Sequence, residues 1–158
     1  MEADAILAPV REWCAQAAHR DIGLGAGVRV MTLRGAVAVE RLVPGDRVVT
    51  RRGARRLLAV RTARLTDMRP CILGGDVPRP GWPAATLQVA PGQPILLRDW
   101  RARALFGQGS AMVPAALLAD GLAIRRAGRA RTMTVHRLDL GEDAVVLAVG
   151  LEFGVPRP

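Results

Sequence analysis

The chain has 158 residues, half of them hydrophobic, and a formal charge of +9, which suits one domain with a real core. All 23 cationic side chains are arginine and asparagine is absent, which excludes lysine Schiff-base chemistry and any reaction through an asparagine side chain. The two cysteines, Cys14 and Cys71, are too few for a disulfide framework and lack metal-ligand spacing, and no apolar run approaches a membrane span.

The first predicted element lies in residues 3–19, "ADAILAPVREWCAQAAH". Ile6, Val10, Trp13 and Ala17 recur at helical spacing and make one apolar face. Pro9 would interrupt a longer helix, so the prediction is a helix over about 9–19, with Cys14 packed beside its apolar face. Glu2 and Asp4 precede any apolar stretch, which is not the pattern of a secretory signal. A cytoplasmic location is expected, with non-classical export left open.

The stretch "GLGAGVRVMTLRG", Gly23 to Gly35, carries alternate glycines that invite a phosphate-loop reading. A dinucleotide loop needs a strand before the glycines and a helix after them. Here the order is reversed, and Val28 stands where the last glycine of the motif would fall. Gly23 to Gly27 therefore reads as a bendable approach to a first strand.

From Val28 onward the period is two. "VRVMTL" and "AVAVERL" read as strands, "PGD" (Pro44 to Asp46) as a turn, "RVVT" as a strand and "ARRLLAVRTARL" as one long strand. Residues 74–83, "GGDVPRPGWP", form a Gly/Pro-rich loop containing Trp82. "ATLQVAPGQPILLRDW" gives a strand, a Pro-Gly turn and a second strand. "VPAALLADG" predicts a short helix or helical turn, with Gly121 as its cap. "LAIRR" resumes a strand. "ARTMTVHRLDL" and "AVVLAVGLEF" are expected to pair antiparallel around "GED", and "GVPRP" to fray. Short strands broken by turns every 8–12 residues make this an all-β chain.

The arginines are scattered from Arg11 to Arg157, with local clusters at Arg51–Arg56 and Arg125–Arg131. Neither cluster is interleaved with aromatics that would stack on bases. A solvated basic surface or an acidic protein or peptide partner is favoured over nucleic acid, which stays as an alternative.

The order of motifs resembles the Hint domain family, shared by Hedgehog C-terminal regions and inteins. Its G-T-x-[IV] strand corresponds to Gly27-Val28-Arg29-Val30, and its L-x-x-G-D-x-V segment to Leu42 through Val48. "LQVAPGQPILL", followed by "VPAALL", resembles the L-S-P-x-H-R-x-L-L and V-P-A-x-x-L segments of a bacterial stand-alone subgroup. The resemblance runs from about Gly23 to Leu151. It implies a flattened β disc of two pseudo-symmetric halves with curved hairpins, spanning 23–151. Residues 1–22 would be a helical segment and linker, and 152–158 a flexible tail.

The resemblance also implies chemistry that this chain does not carry. Self-processing members begin with Cys or Ser, which attacks the preceding carbonyl. That position, four residues before Gly27, is Gly23. The central histidine, which hydrogen-bonds or protonates the departing amide nitrogen, corresponds to Gln93. A late histidine of relatives corresponds to Asp143 or a neighbour, and the intein C-terminal asparagine has no counterpart. The expectation is a catalytically degenerate Hint domain kept as a binding or structural module, without cofactor or metal. The alternative is self-processing through displaced residues such as Cys14 or Cys71 with His136. His136 and Asp143 are the remaining catalytic candidates, although His136 on an alternating strand could as easily face solvent. Asp46 reads as a turn residue, and Asp99 as a surface partner of Arg98, Arg101 or Arg103. Trp82 and Trp100 read as core or cleft-lining, and Cys71 as a buried thiol. Arg98, Trp100, Arg101, Arg103 and Phe106 form the candidate partner-binding face, since arginine and aromatics dominate interface hot spots.

Overall fold

The computed structural model describes residues 21–73, 87–119 and 124–158. The expected N-terminal helix with Cys14, the loop at 74–83 with Trp82, and Gly121 lie outside the described residues. The described chain is mostly β, as expected, with one α-helix and sheets that do not close.

Two hairpins open the structure. β1 (Arg29–Thr32) pairs with β2 (Gly35–Ala38), and β3 (Arg47–Thr50) with β4 (Gly53–Arg56). Their turns, "TLRG" and "TRRG", are built alike. Thr32 Oγ1 donates to the Gly35 carbonyl at 2.8 Å and accepts from Arg34 N at 3.1 Å. Thr50 Oγ1 does the same with Gly53 O at 2.6 Å and Arg52 N at 3.1 Å. Between the hairpins Asp46 holds a turn, its carboxylate accepting from Val43 N and from Arg34.

"ARRLLAVRTARL" is not one strand. β4 ends at Arg56, and β5 (Ala59–Met68) joins a different sheet, pairing with β11 (Arg131–Asp139). Leu57, fully buried, turns inward while Leu58 stays exposed, and Leu58 N then bonds to the Asp139 carbonyl at 2.8 Å. The same switch recurs near the C-terminal end. β11 does not pair with β12 (Ala144–Ala148) around "GED"; β12 pairs with β13 (Leu151–Val155) across the turn at Gly150. Gly154 and Val155, expected in a frayed tail, are paired in β13.

Two sheet systems result. One follows the order β2-β1-β3-β12-β13-β8-β9, with β4 on β3; β8 is Pro94–Leu97 and β9 is Ala111–Pro114. The other joins β10 (Ile124–Arg126), β6 (Cys71–Leu73) and β7 (Leu87–Val89) in that order, and the β5–β11 ribbon stands beside it. Phe153, Leu57, Leu73 and Ile95 are the largest fully buried side chains of the core, each stabilising the fold by about 1.5–3 kcal/mol.

The "VPAALL" segment is a strand end followed by a 3₁₀ turn at Ala115–Leu118. The α-helix, α1, is instead Trp100–Phe106. Asp99 caps its start by accepting from Arg101 N, and Gly107 ends it in the left-handed region at φ 68.

Candidate functional site: the Ile22–Gly23 peptide

Residues 22–25 fill the gap between the β6–β7 pair and the β5–β11 ribbon. Leu24 bridges Val89 on one side and His136 on the other. Leu24 N donates to His136 O at 3.0 Å, and His136 N returns the bond at 2.8 Å. Ala90 N donates to Gly23 O at 3.0 Å, and Gly25 N to Gln88 O at 2.8 Å. The glycine run is therefore not merely a bendable approach: residues 22–25 are held on both sides through the bridges of Leu24, and Ala26 and Gly27 then turn toward β1. Its glycines serve close contact: a Cβ on Gly25 would meet the Gln88 carbonyl oxygen at 2.5 Å.

Gly23 is the most constrained of them. Its φ is +150, and a Cβ there would collide with Val135, whose Cγ2 would lie 2.7 Å away. No side chain fits at this position while Val135 stays where it is.

The peptide bond before Gly23 is gripped at both ends. Gly23 N donates to Gln93 Oε1 at 3.0 Å in a buried setting. Gln93 Nε2 donates to the Gly154 carbonyl at 2.8 Å. Because one partner can only donate and the other only accept, the orientation of the amide is fixed. Gln93, only 2% exposed, thus ties the 22–25 segment to β13. On the other side, Arg137 Nε donates to the Ile22 carbonyl at 2.7 Å. Burial pushes the Arg137 pKa down, opposed by the Asp21 carboxylate; a guanidinium nevertheless stays charged.

A cavity of about 210 Å³ opens beside this bond, lined by Gly23, Gln93 and His136 among others. His136 is half-buried and is among the residues lining this space. The sequence brought attention to Gly23, Gln93 and His136, and these three come together. Val135 and Arg137 were missed. Only the Leu24–His136 register, a long-range pairing, places them against the Ile22–Gly23 bond.

The Hint domain family profile matches residues 22–154, most of the chain. This chain belongs to the Hint domain family. The solved bacterial intein-like domain from Clostridium thermocellum is similar in fold at 14% identity and a TM-score of 0.52, covering 85% of this chain and 98% of that one. The zinc-bound Msm DnaB1 intein splicing domain aligns at 16% identity and a TM-score of 0.49, covering 84% of this chain and 98% of that one. The MchDnaB-1 intein (N145AA) aligns at 13% and 0.47, over 84% and 98%. Comparison with curated protein sequences gives no match.

The other candidates of this Hint domain lie away from the gripped bond. Asp143 accepts from Arg157 N at 2.8 Å and does not border the cavity. Cys71 is fully buried in the core, and burial raises its pKa, a nearby Arg126 charge opposing. Its strand neighbour is Val89, whose neighbour is Leu24, whose neighbour is His136. Three strand spacings, roughly 14 Å, separate the Cys71 and His136 backbones. Among the described residues no group of three or more potential metal ligands is found.

The helix α1 face is exposed. Trp100 is 76% exposed and so is not core, and Phe106 is also exposed. Arg101 pairs with Asp99 at 2.8 Å, and this bond, first among its causes, holds the Asp99 carboxyl below the usual range. Arg98 bridges to Glu152 at 3.2 Å. Arg98, Trp100 and Arg103 border a shallow open hollow.

Proposed function

We propose that this Hint domain does not cleave itself and is retained as a binding or structural module. The observation that carries the reading is the packing of Val135 into the space a side chain on Gly23 would need. By the motif spacing, Gly23 stands at the family's nucleophile position. The reading is therefore a site closed sterically as well as emptied chemically.

Gln93 supports it from the other side. Cleavage of the Ile22–Gly23 bond would require a proton on the departing nitrogen. Gln93 offers that nitrogen an acceptor oxygen and has no proton to transfer to it. Cys71, buried and three strands from His136, lacks the reach to replace the missing nucleophile. The two-half disc of the family belongs to the same reading, with the chain passing between sheet systems at Leu57–Leu58 and again at residues 140–143. The module's protein-facing surface is α1, where Trp100, Phe106 and Arg103 are exposed together. Their charge and aromatic character suit an acidic protein or peptide.

Intact mass after long incubation with dithiothreitol or hydroxylamine tests the reading. Full-length protein is expected throughout. Fragments ending at Ile22 and beginning at Gly23, formed in proportion to added nucleophile, would overturn it.

A further inference from the structure

One end of the β5–β11 ribbon gathers arginines that the fold does not use for ion pairs. Arg131 lies opposite Met68 where the ribbon ends. The chain leaves that end through Arg69 to β6, and returns to it from β10 through Arg126 and Arg129. Two bonds to backbone close the crossing: Arg69 Nε donates to the Ala127 carbonyl at 2.9 Å, and Arg126 Nε to the Arg69 carbonyl at 3.2 Å. Arg64 precedes Met68 on β5 by about 13 Å of strand. Arg64, Arg69, Arg129 and Arg131 are exposed, and Arg126 is half-buried. Among the described residues none of the five has an ion-pair partner, whereas Arg34, Arg51, Arg55 and Arg98 elsewhere each meet an acid. Asp67, at the register shift of the ribbon, is the one carboxylate beside them; it is exposed and offsets a single charge.

The two faces of the ribbon differ. Leu65, Met133 and Val135 pack with Ala90 in a small apolar cluster. By strand alternation the opposite face carries Thr62, Arg64, Thr66, Thr132 and Thr134, all exposed. The exposed large hydrophobic side chains, Trp100 and Phe106 among them, all lie off this ribbon.

An open surface of guanidinium and hydroxyl donors suits a phosphate backbone. A protein partner would need an aromatic or apolar anchor there, a membrane an apolar face, and a single strand rings for its bases to stack on. The major groove of B-form DNA admits a two-stranded ribbon, and the deep, narrow one of A-form RNA does not. The charge of +9 favours the encounter. We propose that the arginine end of the β5–β11 ribbon binds duplex DNA through its phosphates, without reading its sequence. The proposal does not depend on the reactivity of Gly23.

Anisotropy of a labelled duplex of about 20 base pairs, titrated with the full chain between about 50 and 200 mM NaCl, tests it. Five phosphate contacts predict a slope of log K against log salt of about −4 to −5. Two duplexes of unrelated sequence should bind within about 2-fold of each other, and a single strand at least about 5-fold more weakly. The double change Arg129→Gln with Arg131→Gln should lower the slope by about 2, and Arg64→Gln alone by about 1. Arg47→Gln with Arg56→Gln removes the same charge from an exposed pair on the β3–β4 hairpin and should leave the slope unchanged. Equal losses in the two double variants, or a slope shallower than about −2, would overturn the proposal. Tighter binding to an RNA duplex, to polyglutamate or to phosphatidylglycerol vesicles would do the same.

Discussion

Gln93 makes one bond outward to the 22–25 segment and one to β13, both to buried backbone groups. Gln93→Ala would orphan the Gly23 N–H and the Gly154 carbonyl at once. Each unsatisfied group costs about 1–3 kcal/mol, so a loss of about 2–6 kcal/mol is expected by urea unfolding. A neutral imidazole also carries one acceptor and one donor nitrogen. Gln93→His should therefore cost at least about 1 kcal/mol less than Gln93→Ala; equal losses would show that the two bonds do not matter. Glu40 offers a second residue-scale test. Its carboxylate accepts from Gly27 N at 2.8 Å, and that bond, first among several causes, lowers its pKa. A depressed folded pKa means the bond stabilises fully above the unfolded value of about 4.3 and is lost as pH falls through the folded value. The Gly27 amide resonance should titrate with a midpoint below about 4.3, and a midpoint at or above that value contradicts the contact.

At the scale of elements, the paired hairpins rest on their threonines. Thr50 Oγ1 and Thr32 Oγ1 each close a turn with a donated and an accepted bond. Thr50→Val keeps the shape and removes both bonds. It should cost about 1–2 kcal/mol, or a fall in Tm of about 2–8 °C at this chain length. A Tm unchanged in calorimetry would contradict that role. The individual strands were legible because two-residue alternation and Gly/Pro turns are local signals. Which strands pair was not. The chain changes sheets at Leu57–Leu58 and after Asp139, and nothing in "RRLLAV" or "LDLGEDA" distinguishes a crossing from a hairpin. Helix α1 was also missed, although Asp99 before a run of Arg, Ala and Leu and Gly107 after it were ordinary cap signals. At the site, Gly23 and Gln93 were readable from motif order, and His136 only as the one histidine of the β region. Val135 and Arg137 required the long-range register that sets them beside Ile22.

Across the whole molecule, residues 22–25 add hydrogen bonds between sheet systems that already share one hydrophobic core. They are hydrogen-bonded to β7 and β11 and, through Gln93, to β13 in the larger sheet. A change at Gly23 is therefore felt by both sheet systems. The most direct measurement is intact mass combined with urea unfolding of the Gly23→Cys protein. On the proposed reading of Gly23 as the nucleophile position, a thiol there would start cleavage if the glycine alone kept the site inactive. Because φ is +150 and Val135 occupies the space, the cysteine should instead destabilise the fold by roughly 2–6 kcal/mol, leaving the peptide bond after Ile22 whole under dithiothreitol. Thiol-dependent scission at that bond, in a protein as stable as the parent, would contradict the account.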